Sequence, residues 1–319
     1  MRYIFLNNFG RLRSGWRVVV FIAAFIAVSF LIATLLRVLY VIASTLMPEL
    51  PHAGLIAELL FRIGLLASAL IAGYLCTHFL EGLPWRSLGL TFHTGWLRDL
   101  IIGSVVGFAS LVIAVAIAKR GLSFSLSAAG LRSIIQSMIG SGVLLFVAAL
   151  AEEAMFRGYG LQTLSRAKLA WLGVLLTSVP FGLVHLGNPN VVPFVTFANT
   201  ALAGVWLAAA YLRTRSLWLP LGVHWSWNWA LGWFFGLPIS GINIVAHPLL
   251  TATDAGPAWL TGGNYGIEGG IACTISLILI TFFLWRTKLV SATPELQMMT
   301  SEENPKRSEP VYSIRPADL

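Results

Sequence analysis

The sequence AEEAMFRG at residues 151–158 lies inside an apolar segment, residues 134–165, that is long enough to cross a lipid bilayer. It places two carboxylates, Glu152 and Glu153, and the guanidinium of Arg157 where a spanning helix usually carries apolar side chains. Ionisable groups cost several kcal/mol at the centre of a bilayer, so those that occur there are mostly functional. The segment therefore predicts a membrane protein with a polar site among its helices.

The composition of the whole chain agrees with a membrane fold. Of its 319 residues, 57% are hydrophobic and only 11% are charged, whereas a soluble globular domain carries about 25% charged residues. Several windows exceed the roughly 18 apolar residues that indicate a spanning helix. These values exclude a soluble globular protein.

We predict an all-α fold, a polytopic transmembrane helical bundle of about eight spans. The predicted spans cover residues 17–43, 55–80, 98–118, 134–165, 168–187, 194–212, 216–236 and 270–286. Residues 1–16 form an N-terminal segment and residues 17–290 form the multi-span membrane domain. The polar residues 291–319 form a tail that is expected to be disordered.

The basic residues predict the orientation of the chain. If the eight spans alternate in direction, most Lys and Arg residues fall on the side of both termini, and the opposite side receives only Lys119, Arg120 and Arg132. Because basic loops stay cytoplasmic, both termini are predicted to be cytoplasmic, in a multi-pass protein of the cell membrane. Topology thus explains the formal net charge of +8. We expect the protein to have the lipid bilayer as its partner, and we expect no binding of nucleic acid.

Two further polar motifs lie in later apolar segments. FGLVH ends at His185, and HWSWN begins at His224 and ends at Asn228. At 1.5 Å per residue, Glu152 lies about 21 Å above a turn near Arg166, and His185 lies about 27 Å above the same turn on the returning helix. His224 lies about 15 Å above the next turn on that side. All three motifs can therefore reach one layer of the bilayer.

The spacing within the motifs assigns candidate roles. Glu153 and Arg157 are four residues apart and can pair on one helix face, whereas Glu152 points away without a local partner. A carboxylate in an apolar site suits a general base, and the Asn228 amide can donate to an oxyanion. His185, His224 and Glu152 would also make a His₂Glu ligand set for a catalytic zinc ion. If zinc binds through Glu152, Glu153 or another group must handle the proton.

The three motifs, in this order on successive apolar segments, resemble the pattern EExxxR, FxxxH and HxxxN/D of the CPBP family. This is the CAAX-protease and bacteriocin-processing family of intramembrane proteases, which includes the type II CAAX prenyl endopeptidases and Abi-like proteins. The resemblance covers about residues 130–240, and RSLGLTF at residues 86–92 is similar to the family's region before its third span. It implies a catalytic set of Glu152, His185, His224 and Asn228, with Glu153 and Arg157 as supporting groups.

The residues and the resemblance together predict an intramembrane endopeptidase. It would hydrolyse membrane-associated protein or peptide substrates with water activated by Glu and His, assisted by zinc or another divalent metal. A proton-coupled transporter or channel is the alternative, but it predicts polar groups along the full membrane depth and usually repeated halves. A non-catalytic immunity or scaffold protein of the membrane is a third interpretation.

Other polar residues are expected to be structural. Glu58 and Arg62 are four residues apart and should pair on the second span. Glu268, in the glycine-rich TGGNYGIEGG segment at residues 261–270, could belong to a lid near the site or to a flexible turn. We expect the turn, because nothing near it in the sequence offers a partner.

Overall fold

The computed structural model describes residues 2–7, 10–46 and 54–300. Its α-helices are α1 Arg2–Phe5, α2 Ser14–Leu46, α3 Gly54–Glu81, α4 Trp96–Ala118, α5 Leu131–Glu153, α6 Tyr159–Arg166, α7 Ala170–Val184, α8 Pro193–Thr214, α9 Trp218–Trp229, α10 Ala258–Thr261, α11 Ile271–Arg286 and α12 Pro294–Thr300. Short 3₁₀ turns cover Trp85–Leu88, His185–Gly187, Gly263–Tyr265 and Ile267–Gly269, and π-helical turns cover Ala154–Gly158 and Ala230–Phe234.

The all-α polytopic bundle predicted from the sequence is confirmed. Within the described chain, six helices are long and apolar enough to cross a membrane: Ser14–Leu46, Ile56–Glu81, Trp96–Ala118, Leu131–Arg166, Ala170–Gly187 and Pro193–Thr214. The other two predicted spans coincide with shorter helical segments, 218–234 and Ile271–Arg286. The number of membrane crossings and the cytoplasmic position of the termini stay predictions.

Two short strands mark one end of the bundle. Strands β1 (Leu122–Leu126) and β2 (Leu250–Asp254) pair antiparallel, with Leu122 opposite Asp254 and Leu126 opposite Leu250. The first strand follows α4, and the second lies in the connection between the π-helical turn after α9 and the start of α11. We call this end of the bundle, formed by the two strands and residues 235–270, the sheet end.

A buried ionic cluster ties three helices together at the opposite end. The carboxylate of Glu81, at the end of α3, pairs with Arg17 of α2 at 3.5 Å and with Arg166 of α6. Tyr159 and Thr163 of α6 also donate their hydroxyl hydrogens to it. A buried carboxylate needs such partners, because leaving it unpaired costs several kcal/mol.

The helix α12 corrects the predicted tail. The sequence predicts disorder from residue 291, but Pro294–Thr300 are helical, and Leu296 and Met299 are 1% and 4% exposed. This helix packs against α6 and the 3₁₀ turn Trp85–Leu88. The remainder of the predicted tail, residues 301–319, lies outside the described residues.

Glycines bring α4 and α9 into backbone contact, which positions the helix carrying the third motif. A methyl group on Gly103 would collide with the carbonyl oxygen of Leu219, and one on Gly222 would collide with that of Leu100. Small residues at such spacings let membrane helices approach closely. His224 lies two residues beyond Gly222, so the depth and rotation of its helix depend on this contact.

We predict that Gly103→Ala destabilises the protein by about 1–3 kcal/mol, the usual cost of overpacking, because α4 and α9 must separate. Thermal unfolding in detergent measures the effect. Gly15→Ala in α2 is the matched control, since a methyl group there meets nothing within 4 Å. Equal unfolding midpoints for the two variants would contradict the proposed helix contact.

Candidate active site

The two carboxylates of the first motif stand at a change of helix type. Glu152 and Glu153 end α5, and the π-helical turn Ala154–Gly158 follows at once. A second π-helical turn, Ala230–Phe234, begins two residues after Asn228. Such π turns are rare in helices and occur frequently at functional sites. The helices α5 and α9, which carry the first and third motifs, thus depart from α geometry at or just beyond the motif residues.

Glu153 and Arg157 form the predicted pair at the centre of the bundle. Arg157 donates from Nη1 to Glu153 Oε1 at 3.0 Å, and both side chains are fully buried. Its Nη2 donates to the carbonyl oxygen of Gly204 in α8 at 3.3 Å. The guanidinium also lies over the ring of Phe181, 4.5 Å from the centroid, a favourable cation–π contact.

His224 lies between the two carboxylates. Its Nδ1 is 2.9 Å from Glu153 Oε1, so this nitrogen carries the hydrogen and donates it to the carboxylate. Its Nε2 is 3.7 Å from Glu152 Oε2. That separation is too long for a direct hydrogen bond, and a water molecule lying to one side of the two atoms can bind both. The imidazole is therefore oriented by Glu153 and presents its other nitrogen towards Glu152.

Glu152 has a partner that the sequence alone does not indicate. Its Oε1 lies 3.7 Å from Nη1 of Arg62 in α3, and its side chain remains 21% exposed. Arg62 also makes the predicted bond to Glu58, at 2.7 Å. Glu152 is thus held more loosely than Glu153 and stays partly exposed, which separates the two neighbouring carboxylates.

A cleft brings the second and third motifs together. His185, His224 and Asn228 line it, and about 490 Å³ of empty space lies within it, part of which is open to the outside. The ring of Phe181 contacts both imidazoles, with centroid distances of 4.7 Å to His185 and 6.0 Å to His224. His185 Nδ1 lies 2.6 Å from the carbonyl oxygen of Phe181, which can only accept, so Nδ1 carries the hydrogen.

Glu268 lines the same cleft, although the sequence favours a flexible turn for it over a position near the site. Its Oε1 accepts a hydrogen bond from Trp227 Nε1 at 3.0 Å, and its Oε2 accepts two from Ser240, from the backbone at 2.6 Å and from the hydroxyl at 3.1 Å. Glu268 does lie in a turn, Ile267–Gly269, but the expectation that it lacks partners is wrong. The one local signal is the run of glycines: a side chain at Gly266 would collide with Pro238, so the segment can approach residues 238–240.

The predicted metal ligands do not form a metal site as they are placed. Across the described residues, no three His, Cys, Asp or Glu side chains are grouped so that they could hold a metal ion. His224 and Glu152 face each other, but His185 does not join them as a third ligand. The donor set His185, His224 and Glu152 therefore does not fit zinc in this arrangement.

One comparison with known protein families identifies the region of the motifs. Residues 134–230 match the family model described as Type II CAAX prenyl endopeptidase Rce1-like. The match confirms the family resemblance that the three motifs predict, whereas no curated protein matches the chain. The matched segment contains all six predicted site residues, Glu152, Glu153, Arg157, His185, His224 and Asn228, and it ends before Glu268.

We predict that Glu153→Gln destabilises the protein by about 3–5 kcal/mol, because it leaves the buried Arg157 guanidinium uncompensated. Glu152→Gln should cost about 1 kcal/mol or less, because that carboxylate is partly exposed and its ion pairs are long. Thermal unfolding of both variants in one detergent compares adjacent residues of the same type. A larger loss for Glu152→Gln would contradict the assigned roles.

Proposed function

We propose that the protein is an intramembrane endopeptidase that cleaves membrane-associated protein or peptide substrates. The observation that carries this proposal is the placement of Glu152 beside His224, at 3.7 Å, while the other side of that imidazole is held by Glu153 at 2.9 Å. The match of residues 134–230 to an endopeptidase family supports the same reaction class.

In the proposed mechanism a water molecule lies to one side of Glu152 and His224 and hydrogen bonds to both. Glu152 acts as general base and removes a proton from the water, and the water oxygen attacks the carbonyl carbon of the scissile peptide bond. Nε2 of His224 orients the water by hydrogen bonding. The proton taken by Glu152 then passes to the leaving amine as the C–N bond breaks.

The developing oxyanion needs a hydrogen-bond donor at the opposite side of the carbonyl. The Asn228 amide supplies one, since Asn228 lines the cleft one helical turn after His224. His185 lines the cleft from α7, and its Nε2 stays available to the substrate or the water because Nδ1 is bound to Phe181. We assign it to orienting these reactants.

Glu153 and Arg157 are positioning residues in this account. Glu153 fixes the hydrogen of His224 on Nδ1, and Arg157 balances the charge of Glu153 inside the bundle. Neither is required to touch the substrate. We further propose that the protein works as a multi-pass protein of the cell membrane, with the lipid bilayer around its exposed apolar helices.

We predict that Glu152→Gln lowers kcat for a fluorogenic membrane-tethered peptide by at least about 100-fold, the usual contribution of a general base. The amide keeps the shape of the side chain but cannot take the proton. Glu295→Gln, whose carboxylate is 57% exposed on α12, is the matched control and should keep wild-type turnover. Equal turnover by wild type and Glu152→Gln would remove Glu152 from the mechanism.

We predict that cleavage persists after treatment with EDTA and 1,10-phenanthroline, because Glu152 can activate water without a metal. A zinc protease treated in parallel verifies the chelation, and metal analysis accompanies each sample. Loss of turnover on chelation, restored by added Zn²⁺, would contradict the proposed mechanism and would support the metal-assisted reaction predicted from the sequence.

A further inference from the structure

The cleft beside His224 and Asn228 contains a carboxylate that the proposed mechanism does not use. Three donors hold Glu268 in place: the indole of Trp227 and the backbone and hydroxyl groups of Ser240. An ionised carboxylate has about four lone-pair positions, so one position on Oε1 is left for a further donor. Glu268 remains half-buried, at the lining of the cleft.

The charge and walls of the cleft favour a cation. Among the described residues that line it, Glu268 is the only Asp, Glu, Lys or Arg. Phe181, Trp206 and Trp227 supply aromatic walls, and Leu207 and Leu277 add apolar surface. Aromatic rings attract cations, and Lys and Arg side chains bury long apolar stems while keeping the charged group near a carboxylate.

A second observation points to an occupant of the cleft. Trp206 lines it, is only 2% exposed, and its indole N–H has no hydrogen-bond partner among the described residues. A buried donor without an acceptor is unfavourable, so this indole N–H calls for an acceptor that the described residues do not supply. A peptide offers carbonyl oxygens along its backbone, next to each side chain. The Trp206 ring touches the ring of Trp227 edge to face at 5.7 Å, and Trp227 is the residue that donates to Glu268.

We propose that Glu268 determines the substrate specificity of this site: it binds a Lys or Arg side chain of the substrate near the scissile bond. Trp206 binds a backbone carbonyl oxygen of the same segment. The proposal rests on the endopeptidase function proposed above, because the cleft that contains Glu268 also contains His185, His224 and Asn228.

The test uses the full chain in detergent and a set of lipid-tethered decapeptides. The peptides form several series, and within a series they differ only at one position, which carries Lys, norleucine or Glu. Each series places this varied position at a different distance from the scissile bond. In one series the wild type should cleave the Lys peptide with a kcat/KM at least about tenfold above that of the norleucine peptide, a difference of about 1.4 kcal/mol. Glu268→Gln should remove this preference by lowering kcat/KM for the Lys peptide to that of the norleucine peptide.

Three further variants separate charge recognition from anchoring of the segment. Glu268→Asp should keep the preference for Lys at a lower rate. Ser240→Ala removes one hydrogen bond but no charge, so it should affect the Lys and norleucine peptides equally. Glu295→Gln should change neither. If Glu268→Gln lowers cleavage of both peptides equally, or if the wild type shows no preference at any position, the proposal is overturned.

Binding to the Glu152→Gln variant separates this proposal from the proposed function. Fluorescence anisotropy should show tighter binding of the Lys peptide than of the norleucine peptide. The difference should disappear in the double variant that carries both Glu152→Gln and Glu268→Gln. Selective binding without cleavage by the wild type would support the subsite and reject the endopeptidase. Cleavage without any difference in rate or affinity would support the endopeptidase and reject the subsite.

Discussion

The arrangement of the site depends on one buried carboxylate, Glu153, which binds a guanidinium and an imidazole at once. A charge in the interior of a membrane protein is tolerated only with partners of fixed geometry, so this contact determines where its neighbours can lie. Arg157 in turn donates to the carbonyl oxygen of Gly204 in α8 and packs over the ring of Phe181 in α7. His224 joins the same carboxylate to α9. Four helices are thereby fixed around a single carboxylate.

The rest of the fold supports this contact from both sides. The Glu81 cluster joins α2, α3 and α6 at one end, and the glycine contact between α4 and α9 sets the depth of the third motif. At the sheet end, Glu268 joins Ser240 to α9, because it accepts hydrogen bonds from both Ser240 and Trp227. Glu152 is left as the accessible member of the acid pair. This division between a held carboxylate and a partly exposed one suits the water activation that we propose for Glu152.

Local spacing allowed much of the fold to be predicted from the sequence, since apolar length identifies membrane helices and a separation of four residues places Glu153 against Arg157 and Glu58 against Arg62. Contacts between segments that are distant in the sequence do not follow from local spacing. Nothing in the sequence indicates that Arg62 reaches Glu152 or that Glu268 folds back to Trp227, because both depend on how helices and loops pack. The zinc site predicted from His185, His224 and Glu152 stays a prediction, and the described residues contain no group of three His, Cys, Asp or Glu side chains that could hold a metal ion. The polar composition of residues 294–300 predicts disorder, but these residues form a helix whose Leu296 and Met299 side chains are buried.

The claim that Glu153 sets the state of His224 can be measured directly by ¹⁵N NMR of histidine-labelled protein in nanodiscs. The chain has 6 histidines, and a His224→Gln sample identifies the relevant signals. The account predicts that Nδ1 of His224 carries a hydrogen, bonded to a carboxylate, and that this signal changes in Glu153→Ala. An unprotonated Nδ1 in the wild type, or a spectrum indifferent to Glu153→Ala, would contradict it.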